Sequence, residues 1–224
     1  MSRGRQIVRL KIRPLSDSAK SLLLDWKSGE LHRDPQRFPK LDSERLFGNL
    51  NPLVVEIGSG SGDFLCDQAA SHPHANFLGI EVSHRPAAAC AALAHDQGLV
   101  NLRVLRADFK LLVPLFPKRA WTKVYLHFPD PPHKSGDQKR RIFDQAFLDS
   151  MEEVLSTKGE ISVASDKPGF FLQMLELAEK DPRFRFTHPE RYLEGLESPV
   201  KSRFQRFWER KGILPLRFIL HKRE

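Results

Sequence analysis

The chain has 224 residues, a net charge of +8, 40% hydrophobic residues and two cysteines. This length suits a single domain with appended arms. No apolar run approaches the ~18 residues a transmembrane helix needs, and the opening MSRGRQIVRLKIRP has no apolar segment of the secretory-signal kind. The charge is segregated: residues 1–20 carry +5, residues 134–141 carry +3 and residues 199–224 carry +6, so the rest is mildly acidic. Positive charge gathered in three segments suits a polyanion such as nucleic acid, with solvated tails and helix faces as the alternative.

In chain order, residues 1–50 read as a basic N-terminal arm and connecting segment. Ser18–Trp26 (SAKSLLLDW) has helical character with Asp17 as a possible cap, and Lys27–Asn51, rich in Gly, Pro and charge, reads as loop. From residue 51 to 224 a single domain is expected. Leu53–Ile57 is a short buried strand, followed after a glycine-rich turn by a helix over Asp63–Ala70. NFLGIE (Asn76–Glu81) is a second strand and Arg85–His95 an alanine-rich helix. Leu102–Leu105 and Val124–Phe128 are the third and fourth strands. Gln138–Leu155 carries apolar residues at helical spacing. Ile161–Ala164 is a fifth strand and Pro168–Glu179 a further helix. Strands alternating with helices predict an α/β fold: a doubly wound, mostly parallel sheet with helices on both faces. Cys66 and Cys90 fall in helix-like stretches and read as buried, reduced thiols of a cytoplasmic protein. No ligand set for zinc is visible, and no metal is expected.

The first strand runs into Glu56-Ile57-Gly58-Ser59-Gly60-Ser61-Gly62-Asp63. In a doubly wound sheet this turn is the ligand site. A dinucleotide fingerprint needs G-x-G-x-x-G; here Asp63 occupies the last position, which argues against a nicotinamide oxidoreductase. The spacing Gly58, Gly60, Gly62 with an upstream acid resembles the first motif of class I S-adenosylmethionine-dependent methyltransferases. That resemblance implies a Rossmann-like methyltransferase sheet and a loop that accepts a cationic amino-acid end, for which Glu56 has the right charge. Glu81 ends strand two, placed to accept ribose hydroxyls. Asp108 follows strand three near the adenine. Each acid has a plainer reading, as a strand-end carboxylate or a helix cap.

VYLHFPDPPHKSGDQKRR (124–141) puts one carboxylate between prolines and follows it with Lys134, Lys139, Arg140 and Arg141. The order EIGSGSG, GIE, RAD, then FPDP with its Lys/Arg run resembles the bacterial tRNA (guanine-N7)-methyltransferase family from about Leu53 to the C-terminus. The resemblance implies methyl transfer from S-adenosylmethionine to N7 of a guanosine in the tRNA variable loop. It places Asp130 between cofactor and guanine, as catalytic and cofactor-contacting residue. Lys134 and Asp166 would contact substrate, as would the C-terminal segment Ser202, Arg203, Phe204 and Gln205. Lys139, Arg140 and Arg141 would grip RNA phosphates. Three positions depart from the family pattern: Pro132 stands where Trp is usual, Ser202 replaces Thr and Gln205 replaces Glu. A non-catalytic RNA-binding protein on the same scaffold is the competing reading.

Overall fold

The computed structural model describes residues 14–131, 142–195, 209, 210, 212 and 214–223. Among these residues nine strands form one sheet: β1 (Leu23–Asp25), β2 (Leu53–Ile57), β3 (Asn76–Glu81), β4 (Leu102–Arg106), β5 (Trp121–His127), β6 (Leu155–Ser165), β7 (Phe184–Phe186), β8 (Leu193–Glu194) and β9 (Leu216–Lys222). Their order is β1-β4-β3-β2-β5-β6-β9-β7, with β8 also paired to β9. Strands β1 to β6 pair in parallel, whereas β9 runs antiparallel to β6, β7 and β8.

The short helices α1 (Asp17–Lys20), α2 (Ser28–Arg33) and α3 (Ser43–Phe47) precede β2. Along the alternating body come α4 (Asp63–Ser71), α5 (His84–Asp96), α6 (Gln145–Val154) and α7 (Pro168–Glu179). β2 lies between β3 and β5 with helices over both faces. Its residues are all buried, as a central parallel strand requires. One core packs Val55, Ile57, Leu126, Phe147, Met151 and Phe171 against each other. The opposite core packs Val54, Leu65, Cys66, Ala87, Cys90 and Ala91. The alanines of α5 leave the helix close to the sheet. Both cysteines are free and buried.

The chain winds from β2 through β3 to β4, then crosses to β5 and β6 on the other side. The reversal lies between β2 and β5, so the carboxyl ends of these two strands flank the crevice where this architecture binds ligands. The doubly wound, mostly parallel α/β arrangement agrees with the sequence pattern.

Several elements differ from expectation. Ser18–Trp26 is not one helix: Asp17–Lys20 makes a single turn capped by Ser16, and Leu23–Asp25 pairs with β4 as the sheet edge. A run of leucines gained more from ladder bonds and burial against β4 than from continuing a short helix. The segment read as loop contains α2, α3 and a 3₁₀ turn at Pro35–Arg37, and it buries Leu31 and Leu41 in the main core. The Trp121 indole donates to the Leu41 carbonyl at 2.8 Å, tying this segment to β5. Strand five starts at Leu155, six residues early. Within the described residues the helix expected from Gln138 begins at Gln145, capped by Asp144. The antiparallel β9 inserted beside β6 was not foreseen. Lys134, Lys139, Arg140, Arg141, Ser202, Arg203, Phe204 and Gln205, with Pro132, lie outside the described residues.

Candidate active site

β2 ends at Ile57, and the chain turns through Gly58-Ser59-Gly60-Ser61-Gly62 into α4. The three glycines have φ of 81°, 55° and 81°, the left-handed region that side-chain-bearing residues rarely adopt. Gly62 is constrained twice over. It is the N-cap of α4, and a Cβ there would lie 2.3 Å from Cys90 Sγ. α5 is therefore packed against the loop itself.

The loop is fastened to β3. Gly58 and Ser59 N–H groups donate to the Ile80 carbonyl at 2.7 and 3.3 Å. Glu81 Oε2 accepts from Gly60 N–H at 3.1 Å and Oε1 accepts from Ser83 N–H at 2.7 Å. A carboxylate offers about four lone-pair directions. Two are used here, and they fix the group while leaving the others for a ligand.

A cleft of about 420 Å³ opens at the carboxyl ends of β2 to β5, bounded among others by Gly58, Glu81, Val82, Asp108, Phe128 and Asp130. Four predicted residues thus converge: Gly58, Glu81, Asp108 and Asp130. Asp108 is a helix cap that also lines the cleft. Its Oδ1 accepts from Lys110 N–H at 3.0 Å and caps the 3₁₀ helix Phe109–Leu115, and the residue still lines the cleft. Asp130 is exposed and Pro129 before it is buried.

The turn that presents Asp130 is unusual. Phe128 has φ 55°, an outlier for a bulky residue. Its N–H donates to the Ala164 carbonyl of β6 at 2.8 Å, which holds the strand end while the backbone swings out. His127, just before it, also lines the cleft. Its Nε2 lies 3.0 Å from Ser162 Oγ. Burial, then the nearby Lys123 and Arg217 charges, push its pKa down to about 3. The imidazole is therefore neutral across the physiological range and supplies a polar wall without charge.

Other predicted residues stand elsewhere. Glu56, Gly60 and Gly62 are not cleft-lining. Glu56 is 5% exposed and sits on the α4 face of β2 beneath the loop. Its Oε2 has no hydrogen-bond partner among the described residues. Burial, followed by Cys66, Glu81 and Asp63, raises its carboxyl well above the ordinary value. A buried, partnerless acid beside two further carboxylates favours a cation, so this set fits the amino-acid and sulfonium charges of S-adenosylmethionine. Asp166, at the end of β6, has a side chain only 4% exposed and lies 3.7 Å from Lys167 Nζ. It does not cap α7, whose N-cap is Lys167 with no side-chain bond. Asp166 is outside the cleft lining, just after the strand next to the one that leads to Asp130.

Sequence reasoning missed Val82, His127 and Phe128 as cleft walls. Val82 is 62% exposed, an apolar residue set directly after the Glu81 carboxylate. Its position after a strand-end acid was the available signal. Nothing in the sequence marks the left-handed turn at Phe128.

The comparisons with known proteins bear on this geometry. A family model described as "Putative methyltransferase" matches residues 50–213. A tRNA (guanine-N(7)-)-methyltransferase of Rubrobacter xylanophilus is 40% identical over 217 residues, covering 96% of this chain and 97% of its own. The chain belongs to the tRNA (guanine-N7)-methyltransferase family. Another member, from Chloroherpeton thalassium, is 36% identical and covers 99% of this chain and 98% of its own. Among solved structures, the 16S rRNA methyltransferase KamB matches with a TM-score of 0.58 at 15% identity, covering 81% of this chain and 92% of its own. TrmN from Thermus thermophilus matches with a TM-score of 0.54 at 20% identity, over 80% of this chain and 46% of its own. These two share the fold. In this tRNA (guanine-N7)-methyltransferase, the glycine turn and the Glu81, Asp108 and Asp130 carboxylates lie together at the carboxyl ends of the parallel strands.

Proposed function

We propose that this chain carries out its family's reaction, methyl transfer from S-adenosylmethionine to guanine N7 in tRNA, on a guanosine of the variable loop, with Asp130 as the catalytic carboxylate. The observation that carries the assignment is the convergence of Gly58, Glu81, Asp108 and Asp130 on one cleft at the β2/β5 switch point. When bound, the cofactor supplies an electrophilic methyl group on a cationic sulfur. Glu81 would hold the ribose hydroxyls, Asp108 and Val82 would border the adenine, and Glu56 would answer the amino-acid cation from beneath the loop.

Guanine N7 has an in-plane lone pair and no proton, so attack requires no general base. With the cofactor held by Glu81, Asp108 and Glu56, that lone pair would take the methyl group, the S–C electron pair would remain on the departing thioether, and positive charge would pass to the purine. Asp130 can accept guanine N–H groups and favours that developing charge. The left-handed turn at Phe128 and buried Pro129 hold it in place, so that the remaining work is in-line positioning. Neutral His127 adds no cation to oppose the purine charge. Asp166 and the segment Ser202 to Gln205 would contact the target nucleoside. Lys134, Lys139, Arg140 and Arg141 would hold its flanking phosphates.

The protein would act in the cytoplasm, where reduced Cys66 and Cys90 are stable. Among the described residues no helix is long and apolar enough to cross a membrane.

The test is incubation with labelled S-adenosylmethionine and bulk tRNA, followed by nucleoside analysis for 7-methylguanosine. Cofactor and tRNA binding without transfer would instead select the non-catalytic RNA-binding reading. In single-turnover kinetics, Asp130→Asn is expected to slow transfer by about 10²-fold or more, the scale for removing one electrostatic stabiliser of a transition state. A wild-type rate would reduce Asp130 to a turn residue.

A further inference from the structure

The parallel strands deliver acids to the cofactor end of the sheet. The opposite end is basic. There a cavity of about 400 Å³ is lined by Thr157, Lys158, Arg185, His221, Lys222 and Arg223. These residues come from β6, β7 and β9 and the residue after β9, which are neighbours in the sheet. The antiparallel course of β9 is what brings its basic C-terminal end here, where Arg185 faces His221 across the β7–β9 ladder.

The cations divide into two groups. Lys222 is committed inward: it bonds the Glu152 and Leu155 carbonyls and pairs with the Glu152 carboxylate. His221 lies 2.6 Å from Glu160, which also pairs with Lys123 at 2.8 Å. Both acids are thereby used. Lys158 and Arg185 are exposed and have no ion pair among the described residues. Arg223 donates through Nε to the Phe184 carbonyl at 3.1 Å, which anchors the guanidinium and leaves its other donors available. Two strand spacings of about 4.8 Å and a two-residue register offset put the Lys158 and Arg185 backbones roughly 12 Å apart. Phosphates recur about every 3.4 Å of axis along a duplex strand, so one RNA backbone can meet both charges. The Thr157 hydroxyl adds a neutral donor.

We propose that this basic cavity is a second docking site for the substrate RNA, where Lys158, Arg185 and Arg223 hold backbone phosphates remote from the methylated guanosine. The inference rests on the tRNA reading of the protein. From Lys158 to Ser165, at the cofactor end of β6, are seven residues, or about 23 Å of strand. A folded tRNA engaged at Asp130 can span that distance with another arm, whereas a stem-loop of about four base pairs, at about 3.4 Å per pair, cannot. The contacts are to phosphates and carry no sequence readout. They would make the enzyme respond to the overall shape of tRNA.

The experiment compares the wild type with the triple variant Lys158→Ala, Arg185→Ala, Arg223→Ala. Whole-tRNA affinity is measured across a salt series. The log–log slope is expected to fall by about 0.7–0.9 for each phosphate no longer neutralised. KM for whole tRNA should rise about tenfold with kcat unchanged. A stem-loop carrying the same guanosine should be methylated equally by both proteins, and both should bind S-adenosylmethionine equally. The charge-preserving variant Lys158→Arg, Arg185→Lys, Arg223→Lys should keep the salt slope. An unchanged slope and KM in the alanine variant would overturn the proposal, as would an equal loss on the stem-loop. Loss of pyrophosphate binding with intact tRNA binding would assign the cavity to a small anion and overturn it too. Binding slopes need no turnover. A wild type that binds tRNA but makes no 7-methylguanosine would therefore defeat the catalytic reading and leave this site to its own test.

Discussion

A buried carboxyl group without a partner destabilises a fold unless it stays protonated or meets a cation, and Glu56, whose Oε2 has no hydrogen-bond partner among the described residues, is such a group. Its pKa is raised, first by burial and then by Cys66, Glu81 and Asp63. The folded state therefore holds a proton that the unfolded chain releases above the ordinary value of 4.5. Stability from this residue is complete below that value and is lost as pH rises through the raised one. A cationic ligand reverses the balance by favouring the carboxylate, so cofactor binding should expel a proton and tighten with rising pH. Glu56→Gln is expected to flatten the fall of stability with pH and to leave stability at pH 7 equal or greater. It should weaken S-adenosylmethionine binding about tenfold or more, the scale of one hydrogen bond to a charged group. Calorimetry in two buffers of different ionisation enthalpy reads the proton. No proton release in the wild type, with unchanged affinity in the variant, would make Glu56 a structural residue of the loop.

At the scale of elements, the glycine turn and α5 form one device. Gly62 needs φ 81° and has no room for a Cβ against Cys90. Gly62→Ala should therefore destabilise the protein by more than the ~1 kcal/mol of an ordinary glycine replacement in the wrong conformation. It should weaken cofactor binding too, because α4 begins at that residue. Thermal unfolding and cofactor titration check both effects; wild-type values for both would show that α5 can retreat. The sequence revealed the turn because its spacing is local, and it revealed β2 to β6 and α7 because their apolar periods are local as well. Glu81, Asp108 and Asp130 were legible for the same reason, each ending a strand. It did not reveal β1 or β9. Leu23–Asp25 is a strand only because β4 offers an unpaired edge, and Leu216–Lys222 only because β6 and β7 accept it between them. Such pairings are set by tertiary context that no short window contains. The sheltered position of Glu56 was likewise hidden, since strand alternation names a face but not what lies above it.

For the whole molecule, parallel strand direction sorts the charge. Glu81 ends a strand and Asp108, Asp130 and Asp166 follow strands that end on the same side, the side proposed to receive the cationic cofactor. The net charge of +8 must then be carried elsewhere. Four of those cations fall in residues 134–141, a few positions after Asp130. On the proposed roles, closeness in the chain would link the phosphate grip to the catalytic carboxylate. If the two binding events use charges of opposite sign on separate residues, as proposed, they should respond differently to salt and to mutation. Replacing Lys139, Arg140 and Arg141 with Ala is expected to lower the log–log salt slope of tRNA binding by about 0.7–0.9 per phosphate released. S-adenosylmethionine affinity should hardly change, and so should the single-turnover rate once tRNA saturates. Filter binding between low and moderate salt, with cofactor calorimetry beside it, measures both. An unchanged salt slope would make the run an ordinary solvated surface. A drop in the saturated rate with an unchanged slope would move these cations from gripping phosphates to positioning Asp130 itself.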